Sequence, residues 1–205
     1  MAVFLSSTTL LRAFSPLHRT LIYRGSPIAT RLLHNIGDTT SSDTEIHTKR
    51  YKIQGTGVKN AVQMKTNTRH DLSTDVPLKM GGTDTAPQPV EHLLAALIGC
   101  TQATAMYVGR MMKPRLIIEK IEFDLEGFRD ERGALELPIE KFPSIPARLE
   151  CVSGSVTVHF KKGNTPSEVQ LSILKEQTEV RCPVANMMHA SGCKMNIEWV
   201  VGNAL

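Results

Sequence analysis

The segment that most constrains the fold of this chain spans residues 80–113 and reads MGGTDTAPQPVEHLLAALIGCTQATAMYVGRMMK. Glycines and prolines at its start interrupt any preceding element, and a proline in the first helical turn sacrifices no hydrogen bond. One face then repeats every three or four residues, through Leu93, Ala96, Leu97, Cys100, Thr104 and Met111. The opposite face is also largely apolar. We therefore predict a buried helix of about five or six turns that the other elements surround.

The segments on either side alternate between strand and helix patterns. Upstream, we predict strands in residues 51–55 and 58–68, with a turn at Gly55 and Gly57. Downstream, the pattern predicts paired strands, then two helices, then a closing strand in residues 116–128, 151–163, 165–180, 182–192 and 194–202. The first of these helices would be capped by Thr165 or Ser167 and would bury Val169, Ile173 and Leu174. The closing strand would bury Met195, Ile197 and Trp199. This order indicates an α+β fold with an antiparallel sheet.

The positive charge of the chain is concentrated in its first 37 residues. The formal net charge is +4, and four arginines with no acidic residue lie in this leader, so the remainder carries twenty basic and twenty acidic residues. A nucleic-acid-binding surface would need clustered cations in the folded part, and a membrane span would need a longer apolar run; we expect neither. An arginine- and serine-rich, acid-free leader is typical of a mitochondrial transit peptide. We expect cleavage between Arg31 and Asp43, although a tail without an address has a similar composition.

Four cysteines are spaced too widely for a close pair, at positions 100, 151, 182 and 193. In a reducing compartment a structural disulfide framework is not expected, which leaves buried thiols or a reactive pair. Cys182 precedes a proline at the predicted start of a helix, where backbone N–H groups and the helix dipole would lower the thiol pKa. Cys100, inside an apolar helix, is by itself as consistent with a small core residue as with a nucleophile. If the fold joined the two, Cys100 would reduce a peroxide and Cys182 would form a disulfide with it.

Two motifs carry a resemblance to a known family. The pattern G-G-T-D-x-x-P-x-P-x-E-x-L-L-A-A-L-x-x-C-T, followed by C-P-V about eighty residues later, resembles the OsmC/Ohr family of thiol-dependent hydroperoxide reductases. The resemblance covers roughly residues 48–205. We therefore expect a transit peptide and disordered linker in residues 1–44 and an OsmC-like domain in residues 45–205.

The resemblance also implies an architecture and a chemistry. The fold would be an intertwined homodimer in which two long cysteine-bearing helices pack at the centre beneath the sheets. Matching positions imply that Cys100 is the peroxidatic cysteine and Cys182 the resolving one. The implied substrates are organic hydroperoxides, including those of fatty acids. No bound cofactor is implied, and an external dithiol of the lipoyl type, on lipoyl-bearing proteins of the mitochondrion, would reduce the disulfide.

The sequence departs from the hydroperoxide-resistance branch at the acidic residue that pairs with an activating arginine. That branch has glutamate directly after the proline, whereas Val90 occupies this place here and Glu91 follows it. Glu91 would lie about 13 Å from Cys100 along a regular helix, so a catalytic role would need a late helix start or a contact across the dimer. The alternative is an acid that stabilises the first helical turn. Lys59 and Arg69 are the candidate activating cations, or else exposed strand residues. This pattern is closer to the OsmC-like branch.

Several alternatives remain open. A zinc site could be drawn from Cys182, His189, Cys193 and His92, but their spacing matches no common ligand pattern. Four methionines, Met111, Met112, Met187 and Met188, could line an acyl pocket or fill the core. We expect Cys151 to pack at a strand start and Cys193 to be a surface thiol. At the level of the whole protein, the alternatives to a peroxidase are a non-catalytic binding protein that holds an apolar or thiol-bearing ligand in the dimer cleft, and a protein with inert thiols.

Overall fold

The computed structural model describes residues 48–204, of which residues 50–204 form one compact unit. The predicted transit peptide and linker of residues 1–44 lies outside the described residues. The strands and helices are β1 (Ile53–Val58), β2 (Ala61–Thr66), β3 (Asp71–Thr74), α1 (Pro89–Met111), β4 (Ile118–Phe128), α2 (Arg132–Leu135), β5 (Cys151–Phe160), α3 (Glu168–Arg181), α4 (Pro183–Ala190) and β6 (Lys194–Val201). None of the helices within residues 48–204 has the length and apolar character needed to cross a bilayer.

The strands form two separate three-stranded sheets in an α+β fold. The first sheet, in the order β1-β2-β3, is antiparallel throughout. In the second sheet β4 pairs antiparallel with β5, as the sequence predicted, but β6 runs parallel to β5. The predicted antiparallel pairing is therefore confirmed for both sheets, but the parallel pairing of β6 with β5 was not predicted. Helices α3 and α4 form a crossover that returns the chain to the same end of the sheet, so β6 enters in the direction of β5.

The turn in the first sheet lies later than predicted. Gly55 and Gly57 are inside β1, and the turn consists of Lys59 and Asn60. Lys59 has a φ of 55°, in the left-handed region that short hairpin turns require. The two glycines predicted a turn, but they lie within β1. Their effect there is that the strand carries no side chain at these two positions.

Helix α1 is only partly buried within one chain. Its buried residues are Leu97, Ala105, Val108 and Gly109, and they pack against α3, α4 and β4. Leu93, Tyr107 and Met111 are instead 42 %, 49 % and 61 % exposed. The prediction of a helix buried all round is therefore wrong for the single chain, since α3, α4 and β4 cover only one side of it.

The second sheet and α3 supply the rest of the core. Ile197 and Trp199 are buried, as predicted for one face of β6, and they lie beside the buried residues of β5. Ser167 caps α3 through a hydrogen bond from Gln170 N. The predicted apolar stripe of α3 is only one-third correct, because Leu174 is buried but Val169 and Ile173 are exposed. Thr178, one turn after Leu174, is also buried. The buried face of α3 therefore has a helical repeat, but it runs through Leu174 and Thr178 and not through Val169 and Ile173.

A buried carboxylate organises the loop that leads into α1. Asp75 is 1 % exposed and accepts hydrogen bonds from the backbone and hydroxyl groups of both Thr83 and Thr85, at 2.6–3.2 Å. The Thr83 hydroxyl contributes most to holding the pKa of Asp75 well below its ordinary value, and the N–H of Val76 adds to this. Gly82 permits the tight loop, because a Cβ there would lie 1.8 Å from the Val76 carbonyl oxygen. The GGTDT motif thus supplies the hydrogen-bond donors of Thr83 and Thr85 to this carboxylate. Its second glycine, Gly82, supplies the space that the tight loop needs.

The same loop is joined to the start of α1. The Thr74 hydroxyl donates to the Pro87 carbonyl at 2.8 Å, and His92 Nε2 lies 2.7 Å from the Ser73 carbonyl. His92, drawn above as a possible zinc ligand, therefore connects α1 to β3. These bonds fix the start of α1 relative to β3. They therefore also fix the position of Cys100, which lies eleven residues after Pro89 in the same helix.

We predict that Asp75→Asn lowers the Tm by several degrees, because an amide NH₂ would face N–H and O–H donors. The folded-state pKa of Asp75 is lowered, so its contribution to stability is complete above its unfolded pKa of about 3.9 and disappears as the pH falls towards the folded value. The Tm difference between wild type and variant should therefore be largest near neutral pH and shrink below about pH 4.

Thermal unfolding followed by circular dichroism between pH 3 and pH 7 measures this difference. Asp84→Asn, an exposed carboxylate of the same loop, is the matched control and should leave the Tm nearly unchanged. A Tm difference for Asp75→Asn that is independent of pH would contradict the assignment.

Candidate functional site

The predicted helix start at Cys182 is present in the structure. Cys182 is the N-cap of α4 and Pro183 is its first residue. The Cys182 sulfur accepts a hydrogen bond from Ala185 N at 3.4 Å, which is the geometry of a side-chain N-cap. The same residue ends α3, because its N–H donates to the Thr178 carbonyl at 2.9 Å. Cys182 is therefore held from both sides at the junction of two helices.

The structure places Cys100 beside Cys182. Packing of α1 against α3 and α4 puts the two side chains next to each other, close enough for Cys100 to raise the pKa of Cys182. Cys182 is fully buried, whereas Cys100 is only half-buried. Both are reduced thiols. The pair thus has one sulfur that a small molecule can approach and a second sulfur behind it.

The predicted lowering of the Cys182 pKa is wrong. Burial raises the pKa of the Cys182 thiol, and the neighbouring Cys100 adds to the increase. The N–H groups of Ala185 and Val184 act in the opposite direction, as expected at a helix start, but they do not prevail. Desolvation disfavours a thiolate inside the core more strongly than one short helix stabilises it. Cys182 consequently resists deprotonation more strongly than an exposed thiol does.

Glu91 lies in the first turn of α1, away from the thiol pair in its own chain. Its carboxylate accepts a hydrogen bond from Gln88 N at 2.7 Å, which stabilises the helix start. Nine residues of continuous helix separate it from Cys100, a distance of about 13 Å. Within one chain Glu91 therefore stabilises the first turn of α1, which was the alternative to a catalytic role. A catalytic role for Glu91 across a dimer stays a prediction.

The two candidate activating cations are in turns of the first sheet. Lys59 and Arg69 both adopt a positive φ, of 55° and 69°, and both are exposed. Their backbone conformation accounts for their positions in the hairpin turns without any contact to the thiols. An activating role for either stays a prediction.

An apolar groove of ≈ 380 Å³ runs between the first half of α1 and α4. Its walls comprise Leu93, Ala96, Arg148, Leu149, Val184, Met187, Met188, Ser191 and Cys193. Ala96 precedes Cys100 by one helical turn, and Val184 follows Cys182 by two residues, so one end of the groove lies near the thiol pair, although neither Cys100 nor Cys182 forms part of its walls. We call this the α1–α4 groove. Its one charged residue, Arg148, was missed from the sequence because a loop arginine after prolines belongs to no periodic pattern.

The remaining candidates have ordinary places in the fold. Met187 and Met188 line the α1–α4 groove, whereas Met111 and Met112 line a separate groove of ≈ 220 Å³ with Tyr107 and Arg181. Cys193 was expected at the surface but is buried, because the left-handed Gly192 turns the chain inward. Burial raises the pKa of Cys193, and the nearby Cys151 adds to the increase. No group of His, Cys, Asp and Glu within residues 48–204 is arranged to hold a metal ion.

Comparisons with known proteins agree with the fold. A search of curated proteins gave no match. An OsmC-like protein from Mycoplasma pneumoniae has 20 % identity and a TM-score of 0.55, over 75 % of this chain and 97 % of that one. An OsmC-like protein of unknown function from Vibrio cholerae has 13 % identity and a TM-score of 0.58, over 76 % and 100 % of the two chains. An organic hydroperoxide resistance protein OsmC from Legionella pneumophila has 16 % identity and a TM-score of 0.53, over 74 % and 97 %.

At these identities the solved structures show the fold alone. The family model described as OsmC-like protein matches residues 82–198, which is more than half of the chain. The matched range includes the Asp75-bound threonines, Cys100 and Cys182. The chain therefore belongs to the OsmC-like protein family.

Proposed function

We propose that this protein reduces organic hydroperoxides through a Cys100–Cys182 thiol pair. The observation that carries the proposal is the contact between a half-buried and a fully buried thiol that lie 82 positions apart in sequence. Membership of the OsmC-like family supports the same class of activity, and the Legionella pneumophila relative is named as an organic hydroperoxide resistance protein.

The exposure of the two sulfurs suggests their order of reaction. The half-buried Cys100 thiolate attacks the terminal oxygen of the hydroperoxide, the O–O bond breaks, and the alkoxide leaves as an alcohol after it takes a proton. Cys100 is then a sulfenic acid. The Cys182 sulfur attacks this sulfenic sulfur, so that a disulfide forms and water leaves with the Cys182 proton. An external dithiol then reduces the disulfide by thiol–disulfide exchange and is itself oxidised to a disulfide.

The raised pKa of Cys182 fits this division of roles. A protonated Cys182 does not compete for the hydroperoxide, and its S–H lies beside the Cys100 sulfur that carries the charge in the first step. Glu91, Lys59 and Arg69 have no assigned step in one chain. We propose that the reductant is a lipoyl-type dithiol, with no cofactor bound to the protein itself.

We predict that Cys100→Ser abolishes turnover of cumene hydroperoxide with dihydrolipoamide, because no sulfur remains to accept the oxygen. Cys182→Ser should lower steady-state turnover at least tenfold but keep one round of peroxide reduction per chain, since Cys100 still forms a sulfenic acid. Peroxide consumption in single-turnover and multiple-turnover assays measures the two values. Mass spectrometry after one equivalent of peroxide should show a linked Cys100–Cys182 peptide in the wild type.

Cys151→Ser is the matched control, because Cys151 is a half-buried thiol outside the pair. It should keep wild-type turnover. A wild-type protein that consumes no peroxide, with both thiols unmodified, would exclude the enzyme and leave the binding-protein alternative or inert thiols.

We also propose that the protein is an intertwined homodimer with α1 of both chains at its centre. All six residues of β1 are exposed in the single chain. A three-stranded sheet needs an apolar face covered by other elements to be stable, and β1 to β3 lack such a cover within one chain. One side of α1 is likewise open, through Gly99, Ala103 and Tyr107. A second copy would cover both surfaces.

We predict that Gly99→Leu dissociates this dimer. In the single chain a Cβ at Gly99 meets no atom within 4 Å, so a monomer would tolerate the change and gain up to about 1 kcal/mol of helix propensity. In a dimer packed on this face, leucine would clash with the facing helix. Light scattering after size exclusion should therefore show twice the chain mass for the wild type and a lower mass for the variant.

Ser172→Leu, at an exposed position of α3, is the matched control and should keep the dimer. A wild type that remains a single chain at micromolar concentration, with Gly99→Leu more stable than wild type, would refute the dimer.

We propose a mitochondrial location, which rests on the leader sequence alone. A reporter fused after residues 1–44 should enter mitochondria and lose the leader between Arg31 and Asp43. Substitution of Arg12, Arg19, Arg24 and Arg31 by glutamine should abolish import, because these residues supply the whole charge of the leader. A fusion that stays outside mitochondria would contradict the proposal.

A further inference from the structure

Arg148 is a cation on the wall of an otherwise largely apolar groove. None of the ion pairs within residues 48–204 involves its guanidinium. Arg148 is exposed, and its guanidinium lies against Gly192, where a Cβ would approach its nitrogens to 3.0 and 3.1 Å. Gly192 thus serves two needs, a left-handed turn with φ of 82° and room for the guanidinium. A cation that borders an apolar groove and makes no ion pair among the described residues is a candidate ligand-binding group.

The α1–α4 groove extends from this cation towards the thiol pair. Cys182 lies at the N-terminus of α4, and Gly192, with Arg148 beside it, lies just beyond the C-terminus. The eight residues of α4 are about 12 Å long. Between the two ends the walls are aliphatic or thioether side chains, including Leu93, Met187 and Met188. The C-terminal end of α4 also favours a positive charge there, which helps to explain why an unpaired arginine is tolerated.

These features together select an anionic amphiphile. A volume of ≈ 380 Å³ is within the usual range for small-molecule sites. Apolar walls fit a hydrocarbon chain, and a guanidinium is suited to bind a carboxylate through two parallel hydrogen bonds. A neutral alkyl hydroperoxide would offer the guanidinium no negative charge to pair with.

We propose that Arg148 binds the carboxylate of a long-chain substrate whose hydroperoxide group lies at Cys100, so that it distinguishes anionic from neutral hydroperoxides. The inference rests on the proposed function and adds no chemical step to it. Arg148 acts on binding and selectivity, and the oxygen transfer stays with the thiol pair.

Kinetics with a matched pair of substrates test the proposal. The hydroperoxide of linoleic acid and that of its methyl ester differ only in the charge at the end of the chain. Arg148→Gln should lower the ratio of kcat/KM for the acid to kcat/KM for the ester by about tenfold, which corresponds to roughly 1.4 kcal/mol. The change should be in KM rather than kcat, because the carboxylate is bound equally before and during reaction. Arg148→Lys should give an intermediate ratio, since a lysine keeps the charge without the two parallel hydrogen bonds.

Lys194→Gln is the control for a general electrostatic effect. Lys194 lies beside Arg148 at the start of β6 but outside the α1–α4 groove. Its removal takes away one nearby positive charge and should leave the acid-to-ester ratio unchanged. The same fall in the ratio for Lys194→Gln, or an equal loss on acid and ester for Arg148→Gln, would overturn the proposal.

A binding measurement separates this inference from the proposed function. Oleate, which carries no hydroperoxide, should bind to the Cys100→Ser protein in titration calorimetry below its critical micelle concentration. The double variant Cys100→Ser, Arg148→Gln should bind it about tenfold more weakly. If no hydroperoxide is reduced by the wild type, the proposed function fails, but these titrations still decide the role of Arg148. No binding of oleate, as expected if a second copy of the chain fills the groove, would overturn the inference.

Discussion

The packing of α1 against the junction of α3 and α4 is the constraint on which the site depends. Leu97, Ala105 and Val108 give α1 a narrow buried face, and Leu174 and Ala185 are buried on the two helices that meet it. On its other flank α1 approaches β4 closely at Gly109, where a Cβ would already lie 3.0 Å from Ile118. This packing fixes the position of α1 along its axis relative to the α3–α4 junction. It therefore also places Cys100 beside Cys182. The thiol pair is therefore a consequence of the core.

Two opposing effects act on Cys182, and their relative size determines its chemistry. A helix start stabilises a negative charge by typically 0.3–1 kcal/mol, whereas full burial can shift a pKa by several units. Burial prevails here, and the pKa of the Cys182 thiol is raised. The half-buried Cys100 is the more accessible of the two sulfurs. The two cysteines differ because the core covers them unequally, and this difference suggests an order for their reactions.

The loop before α1 shows how a motif can be recognised before its physical reason is known. The GGTDT residues matched a family pattern, yet nothing local indicated that Asp75, six residues before the motif begins, would accept four hydrogen bonds from Thr83 and Thr85. The structure explains the motif as the packing and donor set of one carboxylate. It also assigns Glu91 to the capping of α1, which its place in the first turn had left as an alternative.

The features that the sequence determined by itself are local ones. The start of α4 at Cys182-Pro183, the Ser167 cap and the buried face of β6 follow from short-range chemistry and side-chain alternation, and the family followed from two motifs. Tertiary structure decided the rest: the parallel direction of β6, the exposed side of α1, the burial that raises the Cys182 pKa, and the place of Arg148 over Gly192. Each of these depends on which distant surface covers a residue, and periodicity in a single sequence states that a face is apolar without stating what covers it.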